Sequence, residues 1–281
     1  MIEMAYAKIN LSLDVVERRD DGFHNVRSVM HSVSLCDELD FKFEDSEILS
    51  VDVTSNVSEI IGEDNLVCRA ATIYMKRAGL KGKIGIHLQK NIPIGAGLGG
   101  GSSDAAATFR ALNDHYGVFS EEELIKLCSE IGSDVSFCYR GGTALCEGRG
   151  EVITPVGFDE KLNFVIAIGD ERVSTPKAYK LLDVKFSNFD GTVLKKTCED
   201  NLKLQGTDIF VYNIFEEVIC DEIESVSRIK SLLYEHGAEF ALMTGSGPAV
   251  FGIFLDADAA KESVLKLKNL GIEAFFAESV L

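Results

Sequence analysis

Pro93-Ile-Gly-Ala-Gly-Leu-Gly-Gly-Gly-Ser-Ser103 places five glycines in the seven positions from Gly95 to Gly101. Without a Cβ, the backbone turns freely and comes close to a ligand. Asp104-Ala-Ala-Ala-Thr-Phe-Arg-Ala-Leu112 follows at once and reads as a strong helix. A glycine-rich turn feeding a helix leaves amide N–H groups unpaired at the positive end of the helix dipole, and both features bind anions. Ser102 and Ser103 add hydroxyls beside them. The stretch lies between a strand-like segment and an apolar helix, which is not the setting of a flexible linker.

Several anion-binding classes fail on their own requirements. Gly95, Gly97 and Gly100 fit G-x-G-x-x-G, but a dinucleotide fold also needs an acidic residue about 20 residues on. Here that place falls at Ser120–Glu123, which reads better as a helix capping box. A Walker loop needs Gly-Lys followed by Ser or Thr, and the protein-kinase set needs H-R-D and D-F-G; none of these occurs.

Outward from the loop, Lys83–Gln89 and Val51–Val53 read as strands, and Asn65–Ala78 as a helix capped by Asp64 and closed by Gly79. Near the start, Ile9, Leu11, Leu13 and Val15 alternate with Asn10, Ser12 and Asp14, the strand period of two. Arg18–Gly22 gives a turn, and Asn25–Phe43 is strand-like again. Leu124, Leu127, Cys128 and Ile131 recur at helical spacing behind the Ser120 cap, and Gly132 ends that helix. Beyond Glu151, Asn163–Ile168 and Ala249–Leu255 read as strands, Val218–His236 and Asp258–Leu270 as helices, and Asp183–Gln205 as a long polar section. Strands and helices interleave without regular alternation, which predicts an α+β class with two domains, 1–155 and 156–281.

Composition bounds the function. The chain of 281 residues carries 28 Lys and Arg against 45 Asp and Glu, a net charge of −17. Such a surface repels nucleic acid and anionic membranes, yet a cleft of amides and a few cations still takes a small anion. Apolar runs such as Phe164–Ile168 fall far short of the roughly 20 residues that span a bilayer. The start has no basic segment followed by an apolar one, so a cytoplasmic location is expected. Seven scattered cysteines without a C-x-x-C pair suit free thiols in a reducing compartment.

Residues 93–103 resemble the phosphate loop of the GHMP kinases. Two further family motifs stand in the expected order, Ala7-Lys-Ile-Asn-Leu11 near the start and Met243-Thr-Gly-Ser-Gly-Pro248 near the end. The resemblance implies an N-terminal domain like the second domain of ribosomal protein S5, a ferredoxin-like C-terminal domain, and ATP meeting its acceptor between them. Arg19-Asp-Asp-Gly-Phe-His24, Gly132-Ser-Asp-Val135, Gly142-Thr-Ala with Gly148-Arg-Gly-Glu151, and Ser174-Thr-Pro-Lys-Ala-Tyr179 resemble the branch that phosphorylates a cytidine diphosphate sugar alcohol. Homoserine- or mevalonate-type acceptors, or a catalytically inactive nucleotide binder, are the alternatives.

That resemblance implies roles for residues whose local readings are plainer. Asp134 either caps a helical turn beginning at Val135 or serves as base; by resemblance it is the base. Lys8 would otherwise be a solvated lysine; by resemblance it pairs with Asp134 and stabilises charge on the acceptor hydroxyl. Asn10 and Thr175 would hold the sugar-alcohol chain, Phe23 and Tyr179 would sandwich the cytosine, and His24 would bond its edge. Pro93, Ile94, Gly95, Ala96, Gly97, Leu98, Gly99, Gly100, Gly101, Ser102 and Ser103, with Asn65, Leu66 and Lys90, would bind ATP. Phosphoryl transfer implies Mg2+, for which the sequence names no ligands, and monomer or homodimer is not decided. Two positions depart from the family's usual residues: Ser136 replaces a proline and Phe23 a tyrosine.

Overall fold

The alternating residues near the start form β1 (Ile2–Arg18), and the next strand-like run forms β2 (His24–Glu44). The turn between them closes through Gly22 N–H to the Arg19 carbonyl (3.1 Å) and Arg19 N–H to the Phe23 carbonyl (2.8 Å). The expected alternation is present, but its polar face is not solvated. Lys8, Asn10 and Asp14 are buried like Ile9, Leu11, Leu13 and Val15, so both faces of β1 are covered. Burial pushes the Asp14 carboxyl up to about 6, against the pull of the Val15 N–H and Arg27.

The computed structural model describes residues 1–62, 64–158, 160–171, 173–186, 201–204 and 207–281. These form two units, one of Met1–Ala7, Cys36–Ile94 and Gly99–Gly141, the other of Lys8–Leu35, Gly95–Leu98 and Gly142–Leu281. In the first unit, β3 (Ser50–Ser55), α1 (Leu66–Ala78), β4 (Lys83–Gln89), α2 (Gly100–Tyr116), α3 (Glu121–Ile131) and α4 (Ser133–Arg140) follow in order. β4 runs antiparallel to the end of β2, from Glu38 opposite Gln89 to Glu44 opposite Lys83, and β3 lies parallel to β4. Ala70 and Ala71 on α1 and Ala105 and Ala106 on α2 are fully buried, small enough to let these helices approach while Tyr74 and Phe109 fill the space beside them.

Two helix starts differ from expectation. Asn65, not Asp64, caps α1: its Oδ1 accepts the Val67 N–H at 2.8 Å. α2 begins at Gly100 rather than Asp104, with Gly99 at φ 70° as its N-cap and Ser103 N–H bonded to the Gly99 carbonyl (2.8 Å). Glycine is a poor helix former, but packing overrides propensity here. A Cβ at Gly100 would meet the Ile92 side chain at 3.0 Å and Lys90 Nζ at 3.2 Å, tighter than ordinary contact, so glycine spares the first turn that crowding. The capping box is as read, with Ser120 accepting the Glu123 N–H and Glu123 accepting the Ser120 N–H.

In the second unit, β5 (Thr143–Gly148) pairs antiparallel with the first half of β2 and with β6 (Val152–Pro155). Next come β7 (Asn163–Ile168), α5 (Thr175–Lys185), a hairpin of β8 (Asn201–Leu204) and β9 (Thr207–Phe210), and β10 (Tyr212–Asn213), which lies parallel to β1 at Ser12 and Leu13. The chain closes with α6 (Glu216–Ile219), α7 (Glu224–Glu235), β11 (Phe240–Met243), β12 (Ala249–Phe254), α8 (Ala257–Asn269) and β13 (Glu273–Glu278). β11, β12, β7 and β13 form an antiparallel sheet in that spatial order, with α7 and α8 packed on it. This is the ferredoxin-like β-α-β-β-α-β arrangement, and with the first unit it makes an α+β protein.

The single helix expected over Val218–His236 is two. Ile223 takes an extended conformation (φ −129°, ψ 102°), which breaks the run after α6 and lets both Ile223 and Val226 enter the core. Most of the polar section Asp183–Gln205, namely 187–200 and 205, lies outside the described residues. Among the described residues, no helix is long and apolar enough to cross a membrane.

Candidate active site

The glycine loop is held by main-chain contacts that leave no space for a side chain at Gly97. Gly95, Gly97 and Gly99 have φ of 70°, 82° and 70°. A Cβ at Gly97 would stand 2.5 Å from the Thr244 carbonyl oxygen, and one at Gly245 would stand 3.1 Å from the Gly97 oxygen. Ala249 N–H donates to the Ala96 carbonyl (3.2 Å) and Lys8 N–H to the Leu98 carbonyl (3.0 Å). The Met243–Pro248 turn therefore braces Gly95–Leu98. Downstream, the first-turn amides of α2 belong to Gly100, Gly101 and Ser102, and the Gly99 N-cap has no side chain to bond them. The two serines differ. Ser103 is buried and its Oγ donates to the Tyr6 carbonyl (2.6 Å), while Ser102 is half-buried.

Lys8 is 4% exposed, and its ammonium donates to Asn10 Oδ1 at 2.7 Å. That oxygen also receives Thr244 Oγ1 (3.1 Å) and the Gly245 N–H (2.9 Å), while Asn10 Nδ2 donates to Ser28 Oγ (2.8 Å). Asn10 thus ties Lys8 to the turn that braces the loop. Thr175, the first residue of α5, meets the same turn through Ser246 Oγ (2.9 Å). Asp134 lies in the first turn of α4, which starts at Ser133 with Gly132 as N-cap, so it is not the cap of a turn beginning at Val135. Ser136 is accommodated inside α4, its hydroxyl donating to the Ile125 carbonyl (3.4 Å).

Behind the start of α2 sits a buried ionic cluster. Lys90 Nζ donates to Asp37 Oδ2 and, at 2.7 Å, to Asp104 Oδ2. Asp37 Oδ1 takes the N–H groups of Asn91 (2.6 Å) and Ile92 (2.8 Å). Asp104 Oδ1 is buried without a hydrogen-bond partner among the described residues. Burial is the main cause that pushes the Asp104 carboxyl up to about 8; Lys90 pulls it down and Asp37's charge adds to the rise.

At the β1–β2 turn, the Phe23 main chain is fixed from both sides, by Arg19 N–H to its carbonyl (2.8 Å) and by its own N–H to Asp21 Oδ1 (3.1 Å). The residue is 55% exposed. His24 is buried and stacks on Tyr179, centroids 4.7 Å apart and planes 21° apart, with Nε2 2.8 Å from Asp183 Oδ1. Tyr179, expected beside the cytosine with Phe23, lies face to face with His24, the residue expected at the cytosine edge.

The known proteins that resemble this chain decide its family. Residues 65–142 match the description GHMP kinases N terminal domain, and 194–273 match GHMP kinases C terminal. The chain belongs to the GHMP kinase family. Among its relatives is a 4-diphosphocytidyl-2-C-methyl-D-erythritol kinase of Caldicellulosiruptor saccharolyticus, 42% identical over 95% of this chain and 93% of that one. One of the same name from Clostridium tetani is 37% identical over 98% of this chain and 99% of its own. A crystal structure of 4-(cytidine 5'-diphospho)-2C-methyl-D-erythritol kinase matches with TM-score 0.81 at 29% identity, covering 100% of both chains. L. major mevalonate kinase shares the fold alone, at TM-score 0.75 and 15% identity over 99% of this chain and 95% of that one.

In this GHMP kinase several residues that the sequence assigned to ligands are already engaged by the protein. Asn65 uses both ends of its amide, Oδ1 on Val67 and Nδ2 on the Ile60 carbonyl (2.8 Å). Leu66 opens α1 beside the loop, its Cδ1 3.5 Å from where a Cβ on Gly101 would lie. Lys90 offers its ammonium to two aspartates rather than to solvent. Pro93 and Ile94 lead into the loop, Ile94 exposed. Reading the sequence alone missed Asp37 and Asp104, which complete the Lys90 cluster. Asp104 directly follows Ser103 and was within reach of that reading; Asp37, mid-strand in β2, carried no signal.

Proposed function

We propose that this GHMP kinase transfers the γ-phosphate of ATP to the 2-hydroxyl of 4-diphosphocytidyl-2-C-methyl-D-erythritol, a step of the non-mevalonate route to isoprenoid precursors. The observation that carries the reading is the aromatic group at the β1–β2 turn: an exposed Phe23 held by its main chain, next to the stacked His24 and Tyr179. Acceptors of homoserine or mevalonate type have no base to lay against these rings. Relatives bearing the kinase's name over nearly the whole chain support the same acceptor.

In this reading the first-turn amides of Gly100–Ser102 receive the nucleotide's phosphates. Lys8, held by Asn10, stabilises the charge that develops on the attacking hydroxyl, and Asp134 accepts its proton. Phe23 stacks the cytosine, and Thr175 lies along the sugar-alcohol chain. The amide donors of the loop suit anions, and among the described residues no group of three or more His, Cys, Asp or Glu is placed to hold a metal. The amides of the loop would hold the nucleotide's phosphates, and Mg2+ would come in on those phosphates. Bound there, it would offset charge on the phosphates.

The test is incubation with ATP, Mg2+ and the acceptor, following ADP release and the phosphorylated product by 31P NMR. ADP release that depends on the acceptor supports the reading; ADP release with homoserine or mevalonate alone would replace it. Phe23→Ala is expected to raise the acceptor KM about two- to tenfold, the scale of one lost aromatic stack, with kcat and the ATP KM unchanged. An effect confined to ATP would misplace the cytosine.

A further inference from the structure

The turn Gly148-Arg-Gly-Glu151 after β5 places a guanidinium beside the Phe23 ring. Gly148 has φ 71°, and Gly150 N–H donates to the Glu147 carbonyl (3.1 Å). Glu151 anchors the main chain: its Oε2 takes the Arg149 N–H at 2.6 Å, and its carboxylate oxygens lie 3.1 Å from the place of a Cβ on Gly148. The Arg149 side chain leaves this fixed turn and sets its Cζ 5.2 Å from the centroid of Phe23.

The charge around Phe23 is unequally satisfied. Arg18 faces Asp183 at 3.7 Å, and Arg19 faces Asp21 at 3.1 Å and donates to Asn25 (2.9 Å). Among the described residues Arg149 comes no nearer a carboxylate than 4.0 Å, from its Nε to Glu151 Oε1, beyond hydrogen-bonding range. Its guanidinium therefore keeps its planar fork of donors for a ligand while it lies over an aromatic ring. A cytidine diphosphate begins its diphosphate one ribose away from its base. A base laid on Phe23 puts those phosphates within the swing of a side chain already touching that ring.

We infer that Arg149 is the residue that receives the acceptor's diphosphate, and so selects a cytidine diphosphate over cytidine alone. This rests on the acceptor reading above and adds to it a residue that recognises the phosphates rather than the base. The stack on Phe23 holds the guanidinium in place until the acceptor arrives.

Calorimetric titration of the full chain with cytidine, CMP and CDP separates the two readings. The unaltered protein is expected to bind CDP more tightly than cytidine. Arg149→Met, which keeps the apolar stem, should weaken CDP binding about tenfold or more and leave cytidine binding unchanged, the loss expected of one charge-assisted contact. Arg149→Lys should recover part of the loss, because lysine keeps the charge without the fork. ATP affinity should stay constant in both variants. Equal weakening of CDP, cytidine and ATP would mark a general disturbance and overturn the inference, as would unchanged CDP affinity in Arg149→Met. If the unaltered protein binds neither cytidine nor CDP, the acceptor reading falls first and this inference with it.

Discussion

Replacing Lys90 with methionine lowers the unfolding free energy by about 3–5 kcal/mol, read from urea denaturation. Methionine keeps the length and apolar contacts of the stem and removes only the ammonium. Asp37 and Asp104 then stay buried with no cation between them. Asp37 retains the amides of Asn91 and Ile92, but Asp104 Oδ1 already has no partner among the described residues, so Asp104 carries the larger share of the loss. The effect follows pH in a defined direction. The folded Asp104 carboxyl is raised to about 8 from its ordinary 3.8, so between those values the folded state binds the extra proton. Stability from this group is then fully present in acid and falls as pH rises towards 8. Removing the cation raises the folded value further, so the gap between variant and parent narrows in acid and widens at alkaline pH. Adding Asp104→Asn to Lys90→Met returns part of the stability, because the amide fills the same place uncharged. A Lys90→Met protein that unfolds like its parent from about pH 6 to about pH 9 would show the cluster to be energetically idle.

The same cluster marks where the sequence stops being legible. Gly95–Gly101 announces an anion site because glycine spacing and a following helix are local facts, and the structure uses them: the Thr244 carbonyl closes the space at Gly97, and Ile92 crowds it at Gly100. Helix and strand cores were equally plain, since Asn163–Ile168 and Lys83–Gln89 carry their own apolar pattern and their own stops. What stayed hidden depends on partners far along the chain. The polar side of β1 reads as solvated because its cover comes from Ser28 and from Thr244 and Gly245, more than 200 residues beyond Asn10. Lys90 reads as a strand-end lysine until Asp37, 53 residues earlier, closes on it. The break at Ile223 is a case of burial overriding a continuous helical period. Cytosine contacts at His24 and Tyr179 rested on family resemblance, and the two rings stack on each other, an arrangement no local pattern predicts.

Asp134→Asn is expected to cut turnover by about two orders of magnitude or more, with ATP affinity and the unfolding midpoint held. Asparagine keeps the size of the side chain and one acceptor oxygen but has neither the charge nor the basicity to take a proton from the acceptor hydroxyl. If Asp134 served only the helix, the variant would lose the attraction between a carboxylate and the first turn of α4, about 1 kcal/mol or less. The turn itself does not need that side chain. Val135 N–H reaches the Gly132 carbonyl at 3.2 Å through the main chain, and Gly132 caps the helix without a side-chain bond. A hundredfold loss of rate corresponds to about 2.7 kcal/mol in the barrier, well above what the helix term supplies, so stability and turnover can be told apart. Single-turnover measurements with both substrates saturating read the chemical step directly. Wild-type rates in Asp134→Asn would leave Asp134 a residue of the α4 turn and move the search for the base elsewhere. A slow step with intact nucleotide binding would place the missing function at the hydroxyl, the one place where phosphoryl transfer asks for a proton acceptor.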